Sequence, residues 1–137
     1  MPHDPARVAD TRAWLDRAGT DLRAAAVDLA AAPPILEDVV FHCQQAVEKV
    51  MKGLLAWHDE PFGKTHDLGT LGEMCLRLDS TLRSLVDRAA PLTEYAWKFR
   101  YPGEHQEPTR DEAEGALAIA RDAFEAIRAR LPEDARP

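Results

Sequence analysis

The feature that most limits the fold of this chain is a seam of apolar residues in its first half, spaced alternately four and three positions apart. The seam consists of Leu36, Val40, Cys43, Val47, Val50, Leu54 and Trp57. Residues at this spacing lie on one face of an α-helix, so the seam predicts a helix over about residues 35–58. A face this regular is typical of the central helix of an antiparallel bundle, where other helices cover it.

The same helical period recurs along the rest of the sequence, and no segment alternates in the manner of a β-strand. Asp4 followed by Pro5 predicts the start of a first helix, because aspartate caps helices and proline is favoured at their first position. The segment AAPP, residues 31–34, predicts its end. Thr65 is expected to cap a short third helix.

Further helices are predicted in the second half of the chain. Ser80 can cap a fourth helix, which Pro91 should bend or split. Thr109 and Glu112 have the spacing of a capping box, which predicts the start of a last helix. The final residues, 132–137, are expected to be frayed. The sequence therefore predicts an all-α fold, an antiparallel up-and-down bundle of four to five helices.

Length and charge restrict the class of protein. A chain of 137 residues is predicted to form a single domain, residues 1–137. Its formal net charge of −7 gives no general attraction for nucleic acid, so RNA binding would require a local basic site. Cys43 and Cys75 are expected to be buried, reduced thiols. With no membrane span or export signal evident, we expect a cytoplasmic protein.

Polar residues of the second helix allow two interpretations. Gln45, Glu48 and Lys52 fall on the border of its apolar face. They could form a solvated stripe with a Glu48–Lys52 ion pair, which spacing alone favours, or a functional polar seam. Gln44 falls inside the apolar sector, so its amide is expected to hydrogen-bond to a neighbouring helix or across a subunit contact. Gln44 is therefore one reason to expect a homodimer.

The segment FRYPGEHQEP, residues 99–108, contains an arginine and a histidine that could serve a metal-free ribonuclease. Arg100 could hold a phosphate, and His105 could take a proton from a ribose hydroxyl. The spacing is weakly specific, so a cation at a helix C-terminus and a loop histidine remain alternatives. His66 could transfer protons or, as we favour, cap the third helix. No motif predicts a metal or a cofactor.

Three segments together resemble the HEPN family, the higher eukaryotes and prokaryotes nucleotide-binding domain. They are FHCQQAVEKVMKGLLAW at 41–57, FGKTHDLGTL at 62–71 and WKFRYPGE at 97–104. The resemblance implies a helical bundle that usually forms a homodimer and is often encoded beside a minimal nucleotidyltransferase in toxin–antitoxin systems. Active members of the family are metal-independent endoribonucleases whose arginine and histidine face their symmetry mates across a dimer cleft.

Carried onto this chain, the resemblance implies that Arg100 is the phosphate clamp and His105 the general acid or base. The residues expected to line the cleft or bind nucleotide are Gln45, Glu48, Lys52, His66 and Tyr101. The RYP sequence at 100–102 resembles a branch of the family that is often paired with minimal nucleotidyltransferases. Two hypotheses follow: a nucleotide- or RNA-binding component of such a pair with ribonuclease activity, or a non-catalytic module that binds the nucleotidyltransferase.

Overall fold

A computed structural model describes residues 2–103 and 106–137 of the chain. These residues form helices and turns, and no strand occurs among them, which confirms the all-α prediction. The α-helices are α1 (Pro5–Ala30), α2 (Leu36–Trp57), α3 (Leu68–Leu78), α4 (Arg83–Ala89) and α5 (Arg110–Arg128). Three 3₁₀ turns span Ser80–Leu82, Ala90–Ala96 and Glu133–Ala135. None of the described helices is both long enough and apolar enough to span a membrane.

Helix α2 lies at the centre of the bundle, as its apolar seam predicts. It packs against α1, α3, α5 and the Ala90–Ala96 turn. The middle of the seam is fully buried at Val40, Cys43, Val47 and Val50. Full burial of a valine side chain contributes roughly 1.5 kcal/mol or more, so this face supplies much of the core.

Two glycines let neighbouring helices approach closely. A Cβ atom at Gly53 of α2 would lie 2.6 Å from Cδ1 of Leu15 in α1. A Cβ atom at Gly72 of α3 would lie 2.4 Å from Cγ1 of Val86 in α4. Both distances are shorter than van der Waals contact, so a larger residue would force the packed side chains apart. The close contact at Gly53 brings α1 directly against α2.

Several predicted helix boundaries are confirmed. Asp4 caps α1 by accepting a hydrogen bond from a backbone N–H at 3.0 Å, and Pro5 is the first helical residue. The helix ends at Ala30, directly before the segment 31–34. Pro91 also has the predicted effect, because α4 ends at Ala89 and the chain continues as a 3₁₀ turn.

Two predicted caps are wrong. Asp67, not Thr65, caps α3 by accepting from a backbone N–H at 3.0 Å, while the Thr65 hydroxyl accepts from the N–H of Asp67. Asp79, not Ser80, caps the turn that leads into α4 and accepts from a backbone N–H at 2.9 Å. An aspartate follows Thr65 by two positions and precedes Ser80 by one, and its carboxylate is a stronger acceptor than a hydroxyl.

The C-terminal part of the chain differs from prediction in two respects. Thr109 accepts from the backbone N–H of Glu112 at 3.0 Å, but the Glu112 carboxylate is directed to the hydroxyl of Tyr95 at 3.5 Å. Only one of the two hydrogen bonds of a capping box is therefore present. The segment 132–137 is not frayed, because the Glu133–Ala135 turn packs against α1 and Ala135 is fully buried.

Candidate functional site

The densest group of buried polar side chains surrounds the carboxylate of Glu48 on α2. Its Oε1 lies 2.7 Å from Nδ1 of His66, and its Oε2 accepts from Nζ of Lys52 at 3.0 Å. Glu48 is 3% exposed and Lys52 is 6% exposed. An ionised carboxylate only accepts hydrogen bonds, so Nδ1 of His66 donates. In the neutral imidazole, Nε2 is then left as a hydrogen-bond acceptor.

Gln44 connects this carboxylate to the loop that precedes α3. Its Nε2 donates to Oε1 of Glu48 and to the backbone carbonyl of His66, both at 3.2 Å. Gln45 in turn donates to Oε1 of Gln44 at 2.7 Å. The predicted partner of Gln44, a neighbouring helix or a second subunit, is therefore wrong, because its own helix and this loop satisfy the amide. Gln44 consequently gives no reason to expect a dimer.

Lys52 is enclosed by aromatic rings as well as by the carboxylate. Its Nζ lies 5.7 Å from the ring centroid of Trp14 and 5.6 Å from that of Phe62. Cation–π contacts of this kind and the Glu48 ion pair offset part of the cost of burying the charge. The predicted Glu48–Lys52 pair is present, but the solvated-stripe interpretation is wrong, because Trp14 and Phe62 cover this border of α2.

The structure joins five of the residues singled out from the sequence into one network, which we call the Glu48 network. Its members are Gln44, Gln45, Glu48, Lys52 and His66. His66 does not cap α3, contrary to the favoured interpretation, because its Nδ1 is bound to Glu48 and Asp67 provides the cap. The His66 side chain is 69% exposed, although its partner carboxylate is buried. The network thus holds one imidazole at the surface in a fixed orientation.

Arg100 lies outside the helices and contacts α2 at a different level from the Glu48 network. Its guanidinium stacks on Phe41 at 3.9 Å from the ring centroid, and its Nη1 lies 3.3 Å from Oδ1 of Asp38. The rise of an α-helix separates Phe41 from Glu48 by about 10 Å along the axis of α2. Tyr101, the next residue, is 75% exposed. His105 lies outside the described residues, so its predicted pairing with Arg100 stays a prediction.

Arg100 and the Glu48 network nevertheless share one side of α2. Side chains three or four positions apart lie above one another on a helix, and the contacts follow that spacing. The stripe runs through Asp38, Phe41, Gln45, Glu48 and Lys52. Arg100 therefore covers the end of this stripe at Asp38 and Phe41, and His66 contacts it further along, at Glu48.

A second carboxylate cluster, the Asp21 network, was missed from the sequence. Oδ1 of Asp21 in α1 lies 2.9 Å from Nδ1 of His42, and its Oδ2 accepts from Nζ of Lys49 at 2.6 Å. Asp21 is 7% exposed. The signal was present, because Asp21 lies three residues after Ala18 and four before Ala25, on the same apolar face of α1, where a carboxylate needs partners. These contacts tie α1 to α2.

Neither cysteine lies in a reactive environment. Cys43 and Cys75 are free and buried, as expected, and burial raises the pKa of each thiol to about 12. Neither thiol is therefore suited to act as a nucleophile. Within residues 2–103 and 106–137, no cluster of three or more histidine, cysteine or acidic side chains could hold a metal ion.

Comparison with known proteins agrees with the resemblance seen in the sequence. The family model of the HEPN domain matches residues 11–130. No curated protein and no solved structure matches the chain. The matched segment begins in α1 and extends just beyond the end of α5, so it contains every α-helix of the bundle except the first residues of α1. The chain therefore belongs to the HEPN domain family.

Proposed function

We propose that this chain is the nucleotide- or RNA-binding component of a cytoplasmic two-component system of the toxin–antitoxin type. In this proposal it belongs to the RYP branch, forms a homodimer and pairs with a minimal nucleotidyltransferase. Membership of the HEPN family supports the general class. The observation that carries the proposal for this chain is the way in which Arg100 is held at the surface.

Arg100 has the features of a phosphate-binding residue. The ring of Phe41 supports one face of the guanidinium, and the side chain remains 39% exposed. A planar guanidinium binds phosphate through two parallel N–H groups, and here a phosphate would displace Asp38. Tyr101 beside it would offer an aromatic face to a base. Because the net charge is −7, binding must depend on such a local cation.

Arg100 and His105 form the proposed cleavage pair, with the guanidinium against the phosphate and the imidazole moving a proton. A homodimer would bring two copies of this pair together and double the local positive charge. Sedimentation at micromolar concentration should give a mass near twice the 15.2 kDa of one chain. A mass of one chain would contradict the dimer.

The proposal is tested by titrating a fluorescent single-stranded RNA, and separately ATP, with the purified chain. Arg100→Ala should weaken binding by about tenfold or more, as expected for the loss of a charge-assisted phosphate contact of about 1.5–3 kcal/mol. Asp38→Asn should strengthen binding, because it removes the carboxylate that competes for the guanidinium.

Arg88→Ala is the matched control for this titration. Arg88 also forms a surface ion pair, with Asp122 at 3.1 Å, and its side chain is 48% exposed. Its removal changes the net charge by the same amount and should leave binding nearly unchanged. Equal weakening in Arg88→Ala and Arg100→Ala would show a general charge effect and contradict a site at Arg100.

One observation favours the alternative, a non-catalytic module that binds the nucleotidyltransferase. The charge of Arg100 is already paired with Asp38 within the single chain. If this pairing persists, the residue ties the segment before residue 104 to α2 and binds no phosphate. The alternative predicts co-purification with a nucleotidyltransferase encoded nearby, unaffected by Arg100→Ala or His105→Ala, and no measurable RNA binding.

A further inference from the structure

We propose that His66 is the residue that removes the ribose 2′-hydroxyl proton in RNA cleavage, and that Glu48 positions it. This inference rests on the proposed function only in requiring that the chain binds RNA. It adds a second histidine, from the loop before α3, to the cleavage pair described above, as the base that takes the 2′-hydroxyl proton. The experiment below separates its role from that of His105. Three features of the Glu48 network support it.

The first feature is the orientation of the imidazole. The hydrogen bond of 2.7 Å to Glu48 occupies Nδ1, and the side chain is 69% exposed. Nε2 lies on the other side of the ring and is therefore turned toward solvent. In the neutral imidazole it carries a lone pair, which is the form that a general base requires.

The second feature is the number of contacts that hold this one residue. Glu48 fixes the ring and Gln44 fixes the backbone carbonyl of His66. Lys52, which is itself enclosed by aromatic rings, fixes the other oxygen of Glu48. A base held in this way needs little reorganisation when a substrate binds, and side chains supported by a second layer of hydrogen bonds are typical of functional sites.

The third feature is the cost of the network. Burial of Glu48 and Lys52 carries a desolvation penalty, and replacement of a buried ion pair by apolar side chains of similar volume is often neutral or stabilising. A loop could also be tied to α2 by the Gln44 amide alone. An ion pair buried beneath an exposed histidine is therefore poorly explained by stability and well explained by orientation of that histidine.

The step balances without any co-reactant except water. Nε2 of His66 takes the proton of the 2′-hydroxyl, and the oxygen forms a new bond to the adjacent phosphorus. The bond from phosphorus to the 5′ oxygen breaks, and that oxygen leaves with the electron pair and takes a proton from solvent. His66 then returns its proton to solvent. The products are a 2′,3′-cyclic phosphate and a 5′-hydroxyl end.

The position of Arg100 is compatible with this assignment. Phe41, on which Arg100 stacks, and Glu48 lie on the same stripe of α2, about 10 Å apart along its axis. An extended strand lying along this stripe would place one phosphate at Arg100 while a neighbouring nucleotide reaches His66. The cation would then bind and align the strand, and the imidazole would move the proton.

The experiment measures cleavage and binding of the same RNA by the full chain. The substrate is a labelled single-stranded RNA, and a 2′-deoxy strand of the same sequence serves as the uncleavable reference. Wild type should release cyclic-phosphate products from the RNA only. His66→Gln should reduce the cleavage rate about 100-fold or more, the typical contribution of a general base, with Kd changed less than twofold.

His42→Gln is the matched control, because His42 is also bound to a carboxylate through Nδ1, at 2.9 Å. It should leave the cleavage rate unchanged. Glu48→Gln tests the positioning role through ¹⁵N NMR of the imidazole: wild type should show the tautomer protonated at Nδ1, and the variant should show a mixture together with a lower cleavage rate. A structural role alone would leave cleavage unaffected.

Two results would overturn the inference while leaving the proposed function intact. One is RNA that is bound but not cleaved. The other is cleavage that survives His66→Gln and is lost in His105→Gln, which would assign the proton transfer to His105. Absence of both RNA and nucleotide binding would overturn the proposed function, and the inference with it. Thermal unfolding of each variant would verify that it is folded.

Discussion

Two carboxylates of this bundle hold the same pair of partners, a histidine and a lysine, but the two networks expose these partners to different extents. At Glu48 the lysine side chain is 8% exposed and the histidine side chain is 69% exposed. At Asp21 the two values are close, 22% for Lys49 and 28% for His42. Only the Glu48 network therefore presents a reactive group to solvent while it shields the rest.

The difference arises from the elements that provide the partners. His42 and Lys49 lie seven residues apart on α2, about two helical turns, so both face α1 and are held between two helices. His66 belongs to a loop, whose backbone can bring a side chain to the carboxylate and leave the far edge of the ring outside. The same set of side chains thus links two helices at Asp21, whereas at Glu48 it orients an exposed imidazole.

Removal of each central carboxylate should give the largest difference between the networks. Glu48→Ala leaves Lys52 buried without a counter-charge, which should lower the free energy of unfolding by about 3–5 kcal/mol. Asp21→Ala should cost less, about 1–2 kcal/mol, because Lys49 and His42 are near enough to the surface to be hydrated. Urea unfolding monitored by circular dichroism measures both values.

Equal losses in the two variants would contradict the comparison. They would mean that an unpaired Lys52, although buried, costs no more free energy than the unpaired Lys49 and His42 of the Asp21 network. Val47→Ala, at a fully buried position on the same helix, provides a reference for the loss of apolar packing alone.

Replacement of both buried charges should reverse most of that loss. The double variant Glu48→Met with Lys52→Met removes the unpaired cation together with the carboxylate and keeps the volume of the site. Its free energy of unfolding should lie within about 1 kcal/mol of wild type or above it. A double variant as unstable as Glu48→Ala would show that the ion pair is needed for the fold and would weaken the functional interpretation.

A smaller, local effect is expected from Gln44. Gln44→Leu removes the amide that donates to the carbonyl of His66 and to Glu48, so the loop before α3 loses one of its connections to α2. Loss of about 1 kcal/mol should raise hydrogen exchange of amides in residues 59–67 about fivefold. Amides near Asp21 in α1 should be unchanged. Faster exchange throughout α1 would indicate that the whole bundle had been destabilised.

The bundle itself could be predicted because its information is local and periodic. The spacing of the α2 seam identifies a buried helix face, and Asp4 and Pro91 mark helix ends through backbone geometry. Thr65 and Ser80 were assigned as caps because each can accept a backbone hydrogen bond. An aspartate stands close to each of them, and the choice between neighbouring acceptors depends on loop geometry that the sequence pattern does not contain.

The candidate site was only partly predictable for a related reason. A helical wheel shows on which side of α2 Glu48 and Lys52 lie, but it does not show which other residues pack against that side. Their burial depends on Phe62 from a loop and on Trp14 of α1, which are distant in sequence. Asp21 was identifiable from its place in an apolar seam, whereas its partners were not, because pairing between helices depends on how α1 and α2 are aligned.

A third carboxylate, Asp79, extends the comparison to a site near the surface. Its titration is expected to change the melting temperature of the protein. Hydrogen bonds from Thr81, and then from Arg130, lower its pKa from 3.8 to about 2. The folded state thus holds the ionised form more strongly than the unfolded state, so the stabilisation is present above pH 3.8 and is lost as the pH falls through about 2. The melting temperatures of wild type and Asp79→Asn should therefore differ by a constant amount above about pH 5 and converge between pH 4 and 2. Since surface carboxylates contribute little to stability, this should be the smallest of the four effects. A difference in melting temperature that does not change with pH would contradict a role for the charge. It would mean that Asp79 stabilises the protein only by accepting the capping hydrogen bond.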